Sequence, residues 1–160
     1  MDVLIRAARP EDIPRMTDLL AELFSIETDF APDVEKQIRG LSALVAGPPG
    51  RSCVLVAEQG GIAVGMATVQ TLVSTAEGGR VGLVEDLVVR KNLRGRGVGT
   101  QLIDAILGWA RSQGLTRLQL LADRDNQQAL DFYASRKWDS TRLICLRRRP
   151  SSHSQKSEVS

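Results

Sequence analysis

A glycine- and arginine-rich stretch in the middle of the chain has the residue types of an anion-binding loop. Its residues are Arg94, Gly95, Arg96, Gly97, Val98, Gly99 and Thr100. They separate an apolar, partly β-branched run at residues 83–89 from an amphipathic segment at residues 100–113, which predict a buried strand and a helix. The first turn of a helix has unpartnered N–H groups and a partly positive dipole end, and glycines let an anion approach them closely. We therefore predict that phosphate groups bind here, with Arg94 and Arg96 adding charge-assisted hydrogen bonds.

Two acidic residues interrupt the apolar run just before this loop. Side chains alternate between the two faces of a strand. We therefore expect Glu85 to share a face with Leu87 and Val89, and Asp86 to lie on the other face with Val84 and Val88. One of the two carboxylates can then face a reaction cleft and accept a proton. Pairing of both acids with arginines on neighbouring elements is the alternative interpretation.

Two common phosphate-binding patterns do not fit the loop. No Gly-Lys-Ser/Thr follows the glycines, as a Walker A loop requires, and the third glycine of the dinucleotide pattern is replaced by Thr100. The stretch does resemble the acetyl-coenzyme A signature of the GCN5-related N-acetyltransferases (GNAT). That signature, Arg/Gln-x-x-Gly-x-Gly/Ala, is matched by Arg94, Gly97 and Gly99.

Downstream residues extend the resemblance, which covers residues 81–138. In that family the loop is followed by a helix, a strand and a second helix carrying Asn, Ala and Phe-Tyr. Residues 115–122 here have the pattern of the strand. The matching residues of the second helix are Asn126, Ala129, Phe132 and Tyr133. The family's next Gly-Phe is replaced by Lys137 and Trp138, so the turn after this helix lacks the residue that most easily adopts a positive φ.

The resemblance implies two catalytic roles. Glu85 matches the place where members such as the diamine acetyltransferases have an acidic residue, and it would act as the general base, directly or through water. Tyr133, the only tyrosine, matches the position whose hydroxyl faces the coenzyme sulfur. A phenol with a pKa of about 10 stays protonated at neutral pH and can protonate a departing thiolate. A core aromatic ring with a hydrated hydroxyl is the alternative interpretation.

The same resemblance implies how the coenzyme is held. The backbone of residues 87–89 would pair with the pantetheine amides like an added strand, and Asn126 would bind the pantetheine arm, cap its helix, or do both. The predicted cofactor-binding residues are Leu87, Val88, Val89, Arg94, Gly95, Arg96, Gly97, Val98, Gly99, Thr100 and Asn126. We predict no metal site, because the only histidine, His153, lies in the polar end of the chain.

The pattern of apolar residues predicts one α/β domain of mixed α+β type at residues 1–149, followed by a disordered tail at residues 150–160. The predicted order of elements is β-α-α-β-β-β-α-β-α-β-β, with a terminal strand at residues 141–148. The resemblance implies a central mixed, mostly antiparallel β-sheet flanked by helices.

Composition sets the broad class. A chain of 160 residues with 42% hydrophobic and 25% charged residues is typical of a soluble globular domain. The net charge of +2 is too small to indicate nucleic acid, and neither a membrane-length apolar segment nor a signal-peptide pattern is found. Cys53 and Cys145 are predicted to be buried thiols, which fits a reducing cytoplasm. We therefore expect a cytoplasmic protein without nucleic-acid or membrane partners.

Acidic residues are frequent where the first two predicted helices meet, a region that borders the acceptor site in similar proteins. They are Glu22, Glu27, Asp29, Asp33 and Glu35. A cationic acceptor, such as a polyamine or another small amine, would suit this charge. Solvated helix ends explain the same residues without any ligand.

Three functions follow from these features. The first is an acetyl-coenzyme A-dependent N-acetyltransferase that transfers acetyl directly to a primary amine of a small molecule or peptide in a ternary complex. The second is a catalytically inactive acyl-coenzyme A-binding sensor or interaction module, against which Glu85 and Tyr133 argue. The third is a nucleic-acid binder using the arginines of the loop and of residues 147–149, which lacks interleaved aromatic residues. A homodimer is compatible with the family's habit, but the residues do not establish it.

Overall fold

The structure, a computed structural model, describes residues 2–27, 29 and 31–150. These residues form five strands and four α-helices. In chain order the elements are β1 (Leu4–Ala7), α1 (Ile13–Ile26), α2 (Val34–Val45), β2 (Ser52–Gln59), β3 (Ile62–Ser74), β4 (Gly79–Val89), α3 (Val98–Ser112), β5 (Leu118–Leu120) and α4 (Gln127–Ser135). The chain divides into two compact units: Met1–Asp123, which contains the sheet and α1 to α3, and Arg124–Ser160, which contains α4.

The five strands form one sheet in the order β1-β2-β3-β4-β5. β1 to β4 are antiparallel neighbours, whereas β5 runs parallel to β4. α3 connects this parallel pair, as parallel strands require a long crossover connection. The predicted fold class, a mixed and mostly antiparallel sheet flanked by helices, is confirmed.

Helices pack on both faces of the sheet. α1 and α2 bury their apolar stripes against β2 and β3 in a cluster that includes Met16, Leu41 and Met66. A Cβ atom added at Gly65 would instead lie 3.3 Å from the Leu102 side chain of α3. Because neighbouring residues of a strand point to opposite faces, α3 covers the face opposite α1 and α2.

In the second unit, α4 ends in a turn that has a lysine, Lys137, in place of the usual glycine. Lys137 adopts φ +64°, in the left-handed region. Its N–H donates to Ala134 O at 3.1 Å, and the N–H of Trp138 donates to Tyr133 O at 3.1 Å. These two bonds form a Schellman cap, so the expected turn forms with lysine in the strained position.

No strand follows α4 in the described part of the chain, and the strand before α4 is shorter than predicted. Residues 141–148 form no strand, and the predicted strand at residues 115–122 is shortened to Leu118–Leu120. Strand geometry requires a neighbour for its backbone N–H and C=O groups, and residues 141–148 have no ladder partner in the sheet. Leu143 and Leu146 are therefore 87% exposed, and Cys145, predicted to be buried, is exposed as well.

Cys53, by contrast, is buried in β2 as predicted, and burial raises the pKa of its thiol to about 11. No helix among the described residues is long and apolar enough to cross a membrane. Of the predicted tail at residues 150–160, residues 151–160 lie outside the described part of the chain.

Candidate active site

A β-bulge interrupts β4 at the acidic pair predicted from the sequence. Thr68 of β3 opposes Asp86, but the next residue, Val69, opposes Val84. Glu85 is therefore an extra residue without a partner on β3, and it is exposed. The bulge places the predicted general base at the point where strand pairing is broken.

The bulge also changes which side chains share a face, and here the sequence prediction was wrong. Asp86 pairs with Thr68 on the side of α1, whereas Val84 pairs with Val69 on the side of α3. One extra residue resets the twofold alternation of a strand. Asp86 and Val84 consequently lie on opposite faces rather than on the same face.

Asp86 is the deeply placed member of the acidic pair. Its Oδ2 accepts a hydrogen bond of 2.6 Å from the Thr68 hydroxyl, and its N–H donates to the same hydroxyl at 3.2 Å. Burial raises the pKa of its carboxyl to about 6, repulsion from Glu85 adds to that rise, and the hydrogen bond from Thr68 opposes it. Asp86 therefore titrates close to neutral pH, where a proton acceptor is most effective.

Further carboxyl groups approach Asp86 from other elements. Glu27, at the end of α1, has a raised pKa, first because it is partly buried and then because of repulsion from Asp86, Asp123, Asp29 and Glu85. Repulsion of this kind requires that the charges lie near one another. In the first unit, Glu27 is therefore within electrostatic range of four other carboxyl groups, two of them at the bulge, and we call Glu27, Asp29, Glu85, Asp86 and Asp123 the acidic cluster.

The other predicted acidic residues have structural roles elsewhere. The Asp33 side chain caps α2 by accepting from Lys36 N at 3.1 Å. Glu22 accepts from Lys91 N at 3.1 Å and forms an ion pair with Arg94 at 3.8 Å. Glu35 lies in the first turn of α2, where its negative charge interacts favourably with the positive end of the helix dipole.

The glycine loop has the geometry predicted for an anion-binding helix start. Gly97 is the N-cap of α3 with φ +83°, and Gly95 has φ +75°. No atom lies within 4 Å of a Cβ added at either glycine, so the space above the loop is open. The cap residue has no side chain, and none of the described residues accepts a hydrogen bond from the N–H groups of Val98 or Gly99.

The two arginines of the loop differ in their surroundings. Arg94 is half-buried, and its Nε donates to Val89 O at 2.9 Å. Together with the ion pair to Glu22, this bond fastens the loop to the end of β4. Arg96 is exposed and forms no ion pair within the described residues, so its guanidinium is the one placed to meet an approaching phosphate. Thr100 lies within the first turn of α3.

Between the bulge and the loop, one edge of β4 has no strand beside it. Pairing with β5 ends at Val84 opposite Leu120, and in the described chain no other strand continues along that edge. Val89 lies four positions after Glu85, a distance of about 13 Å along a strand. Residues 87–89, predicted to bind pantetheine, lie in this segment.

The remaining predicted site residues belong to the second unit. Asn126 is the N-cap of α4, with its Oδ1 accepting from Ala129 N at 3.1 Å, so the capping role is confirmed. The Tyr133 ring meets Phe132 edge-on at 5.3 Å and Trp138 at 5.8 Å between ring centroids. Aromatic contacts of this kind fix a ring's orientation. Their roles toward the coenzyme stay predictions.

Sequence reasoning missed two members of this site. Thr68 and Asp123 lie 18 and 37 residues from Asp86 in the numbering, and no local motif marks either of them. Only the β3–β4 register places Thr68 opposite Asp86. A buried threonine within an apolar strand was the only available signal, and such residues usually serve packing.

Similarity to known proteins identifies the class of protein that has this geometry. Residues 13–138 match the family model described as the acetyltransferase (GNAT) family. The matched segment is most of the chain and contains the loop, the bulge and α4. The chain therefore belongs to the GNAT family of acetyltransferases.

Individual relatives agree with this assignment. An uncharacterised N-acetyltransferase of Archaeoglobus fulgidus is 28% identical over 132 residues, covering 82% of this chain and 89% of that protein. Among solved structures, a transcriptional regulator from Bacillus halodurans has a TM-score of 0.81 at 22% identity, covering 92% of this chain and 100% of its own. The aminoglycoside N-acetyltransferase AAC(6')-Iy, in complex with CoA, has a TM-score of 0.80 at 17% identity, covering 94% and 96%. At these identities the solved structures establish the shared fold.

Proposed function

We propose that the protein transfers an acetyl group from acetyl-coenzyme A directly to a primary amine of a small molecule or peptide within a ternary complex. One observation carries the proposal. The open edge of β4 has an anion-binding helix start at one end and the acidic cluster at the other. Such an edge suits a long ligand with phosphates at one end and a reacting group near carboxylates at the other.

The loop and the strand edge fit the coenzyme. First-turn N–H groups and the exposed guanidinium of Arg96 suit a diphosphate, and the open space over Gly95 and Gly97 permits its approach. Backbone groups of residues 87–89 can pair with amides, as a sheet edge does with an added strand. A related fold has been crystallised with CoA.

The chain's own residues would supply proton transfer. When bound, acetyl-coenzyme A supplies an activated thioester, so a nitrogen–carbon bond can form as the carbon–sulfur bond breaks. Glu85 would take the proton of the amine, directly or through water, from its exposed place on the bulge. Tyr133, its ring held between Phe132 and Trp138, would donate a proton to the departing sulfur.

The acidic cluster favours a cationic acceptor. An amine at neutral pH arrives as an ammonium ion, and several carboxylates nearby attract it and select against anionic competitors. The raised pKa values of Glu27 and Asp86 result first from burial and then from repulsion by neighbouring carboxylates, and a bound cation would relieve that repulsion. We therefore propose a diamine, polyamine or similar cationic amine as the acceptor class.

The test is a screen for thiol release from acetyl-coenzyme A. Matched acceptors would include 1,4-diaminobutane, its mono-acetylated form, a neutral amino alcohol and a peptide with a free N-terminus. We expect the diamine to give the highest kcat/KM and the mono-acetylated form a lower value. Preference for neutral or acidic acceptors contradicts the acceptor class. Calorimetric binding of coenzyme A without turnover of any amine supports the binding-module alternative instead.

A further inference from the structure

Thr68 is a polar residue in the fully buried part of β3, surrounded in sequence by alanine and valine. Burying a hydroxyl without a hydrogen-bond partner destabilises the folded state. Thr68 avoids this cost through Asp86 alone. Its hydroxyl donates to the carboxylate at 2.6 Å and accepts from the backbone N–H at 3.2 Å.

These two hydrogen bonds lie next to the bulge and restrain the backbone there. They link β3 to the residue that directly follows the extra residue Glu85. A bulge interrupts the regular backbone ladder, so a side-chain bond to the backbone of Asp86 replaces part of the lost restraint. The hydrogen bond from the Thr68 hydroxyl to the Asp86 carboxylate also fixes the orientation of the Asp86 side chain. Valine, which has the same shape, could make neither bond.

We propose that Thr68 is a positioning residue for acetyl transfer, holding the bulge and the Asp86 carboxyl in the arrangement that the acceptor amine meets. The inference rests on the proposed function. Thr68 occupies Oδ2 of Asp86, whereas Oδ1 has no hydrogen-bond partner among the described residues. Oδ1 is thus the oxygen left to bind the ammonium group of the acceptor, whose proton Glu85 would take.

Polar and charged groups from three elements surround Asp86. Glu85 lies beside it on β4, Thr68 faces it from β3, and Glu27, at the end of α1, has its own pKa raised by Asp86. Asp29 and Asp123 act on Glu27 in turn. The Thr68 hydrogen bond favours ionised Asp86, while burial and the Glu85 carboxylate favour the protonated form. Loss of the hydroxyl therefore leaves a higher pKa.

The test compares Thr68→Val, which removes the hydroxyl at constant shape, with Thr68→Ser, which keeps it. Thr71→Val is the matched control, because Thr71 is on the same strand and donates to Gly50 O at 2.8 Å, away from the bulge. Two readouts are used: the midpoint of the Asp86 carboxyl titration by ¹³C NMR, which needs no substrate, and the pH profile of kcat/KM for the amine. Affinity for coenzyme A is measured by calorimetry.

We expect Thr68→Val to raise the Asp86 midpoint, to move the acid limb of the profile in the same direction, and to lower kcat/KM about tenfold or more. Coenzyme A affinity should stay within about twofold, because the loop is untouched. Thr68→Ser should recover most of the activity, and Thr71→Val should match the wild type. An unchanged midpoint and unchanged kcat/KM in Thr68→Val would overturn the proposal.

A second variant keeps the proposal testable if Thr68→Val does not fold. Asp86→Asn retains an oxygen that can accept from Thr68 but cannot titrate, so we expect the acid limb of kcat/KM to disappear. Its persistence contradicts the inference. If no amine is acetylated by the wild-type protein, the proposed function fails. The NMR midpoints still decide whether Thr68 controls Asp86.

Discussion

The two ends of the open edge of β4 contrast in chemistry and in origin. The loop end presents backbone N–H groups and Arg96, and its glycines and helix start lie within one stretch of seven residues, 94–100. The bulge end presents carboxyl groups collected from α1, β4 and the segment after β5. One strand therefore connects the proposed site for anions, built locally, to the proposed site for cations, built by tertiary contacts.

Under the proposed function, the two ends of one short strand serve two substrates of opposite charge. About 13 Å of strand separates the two ends, which is more than the Debye length of about 8 Å at physiological ionic strength. Each end can therefore be tuned with little effect on the other. The following predictions test that independence.

The largest expected effect is at the bulge. Glu85→Gln removes the proposed proton acceptor without changing shape, and we expect kcat to fall about 100-fold or more. Coenzyme A affinity, measured by calorimetry, should be unchanged. Glu11→Gln, an exposed acid near the start of α1, is the control and should keep full activity. Retention of kcat within about threefold would show that another group takes the proton.

The pH dependence of stability tests the bulge end in the absence of ligand. The folded pKa of Asp86, about 6, lies above its ordinary value of 3.8, so the folded protein binds more protons than the unfolded chain between these values. Stability therefore falls as pH rises through this window, on the order of 2 kcal/mol from this group. Glu27, with a raised pKa, acts in the same direction.

Urea unfolding at pH 4 and pH 6.5 measures this effect. Asp86→Asn should lack the part of the decrease that comes from Asp86. The pKa of Asp12 is lowered by its hydrogen bonds to Arg6. Its contribution to the stability of the fold is therefore lost only at more acidic pH and does not mask the effect. Equal slopes for wild type and Asp86→Asn would contradict the placement of a buried, titrating carboxyl at the bulge.

The loop end is tested by Gly97→Ala. A side chain at φ +83° is strained by about 1 kcal/mol, and its Cβ would stand where a phosphate approaches. We expect coenzyme A affinity to fall about tenfold, while the Asp86 titration stays unchanged. Gly108→Ala is the matched control, since Gly108 lies inside α3 with open space around it. It should raise stability by roughly 0.5–1 kcal/mol and leave affinity as it is.

The smallest expected effect concerns a turn that adopts the same left-handed conformation without glycine. Lys137→Gly relieves strain at φ +64°, and we expect a gain of about 0.5–1 kcal/mol in the free energy of unfolding. Thermal unfolding followed by tryptophan fluorescence would measure it, because Trp138 follows directly in the turn. A loss of stability would mean that the lysine side chain contributes more than its backbone strain costs.

Local features were predicted well from the sequence. The start of α3 at the glycine loop and the Asn126 cap depend on residues within a few positions of one another. The turn after α4 formed even with lysine, because the two backbone bonds of the cap outweigh the strain of one residue. The predicted strand at residues 141–148 was wrong, because a strand depends on a neighbour that the pattern of one segment cannot supply.

The candidate site likewise has features that depend on neighbouring residues and features that depend on residues far away in the chain. The sequence by itself determined the geometry of the glycine loop and the family, since short-range backbone geometry and a contiguous motif carry both. Only the tertiary structure decided that Asp86 is the less exposed carboxyl of the pair, that Thr68 holds it, and that Glu27 lies near it. The physical reason is the bulge at Glu85: one extra residue exchanges the faces of a strand, and its place depends on pairing with residues far away in the chain.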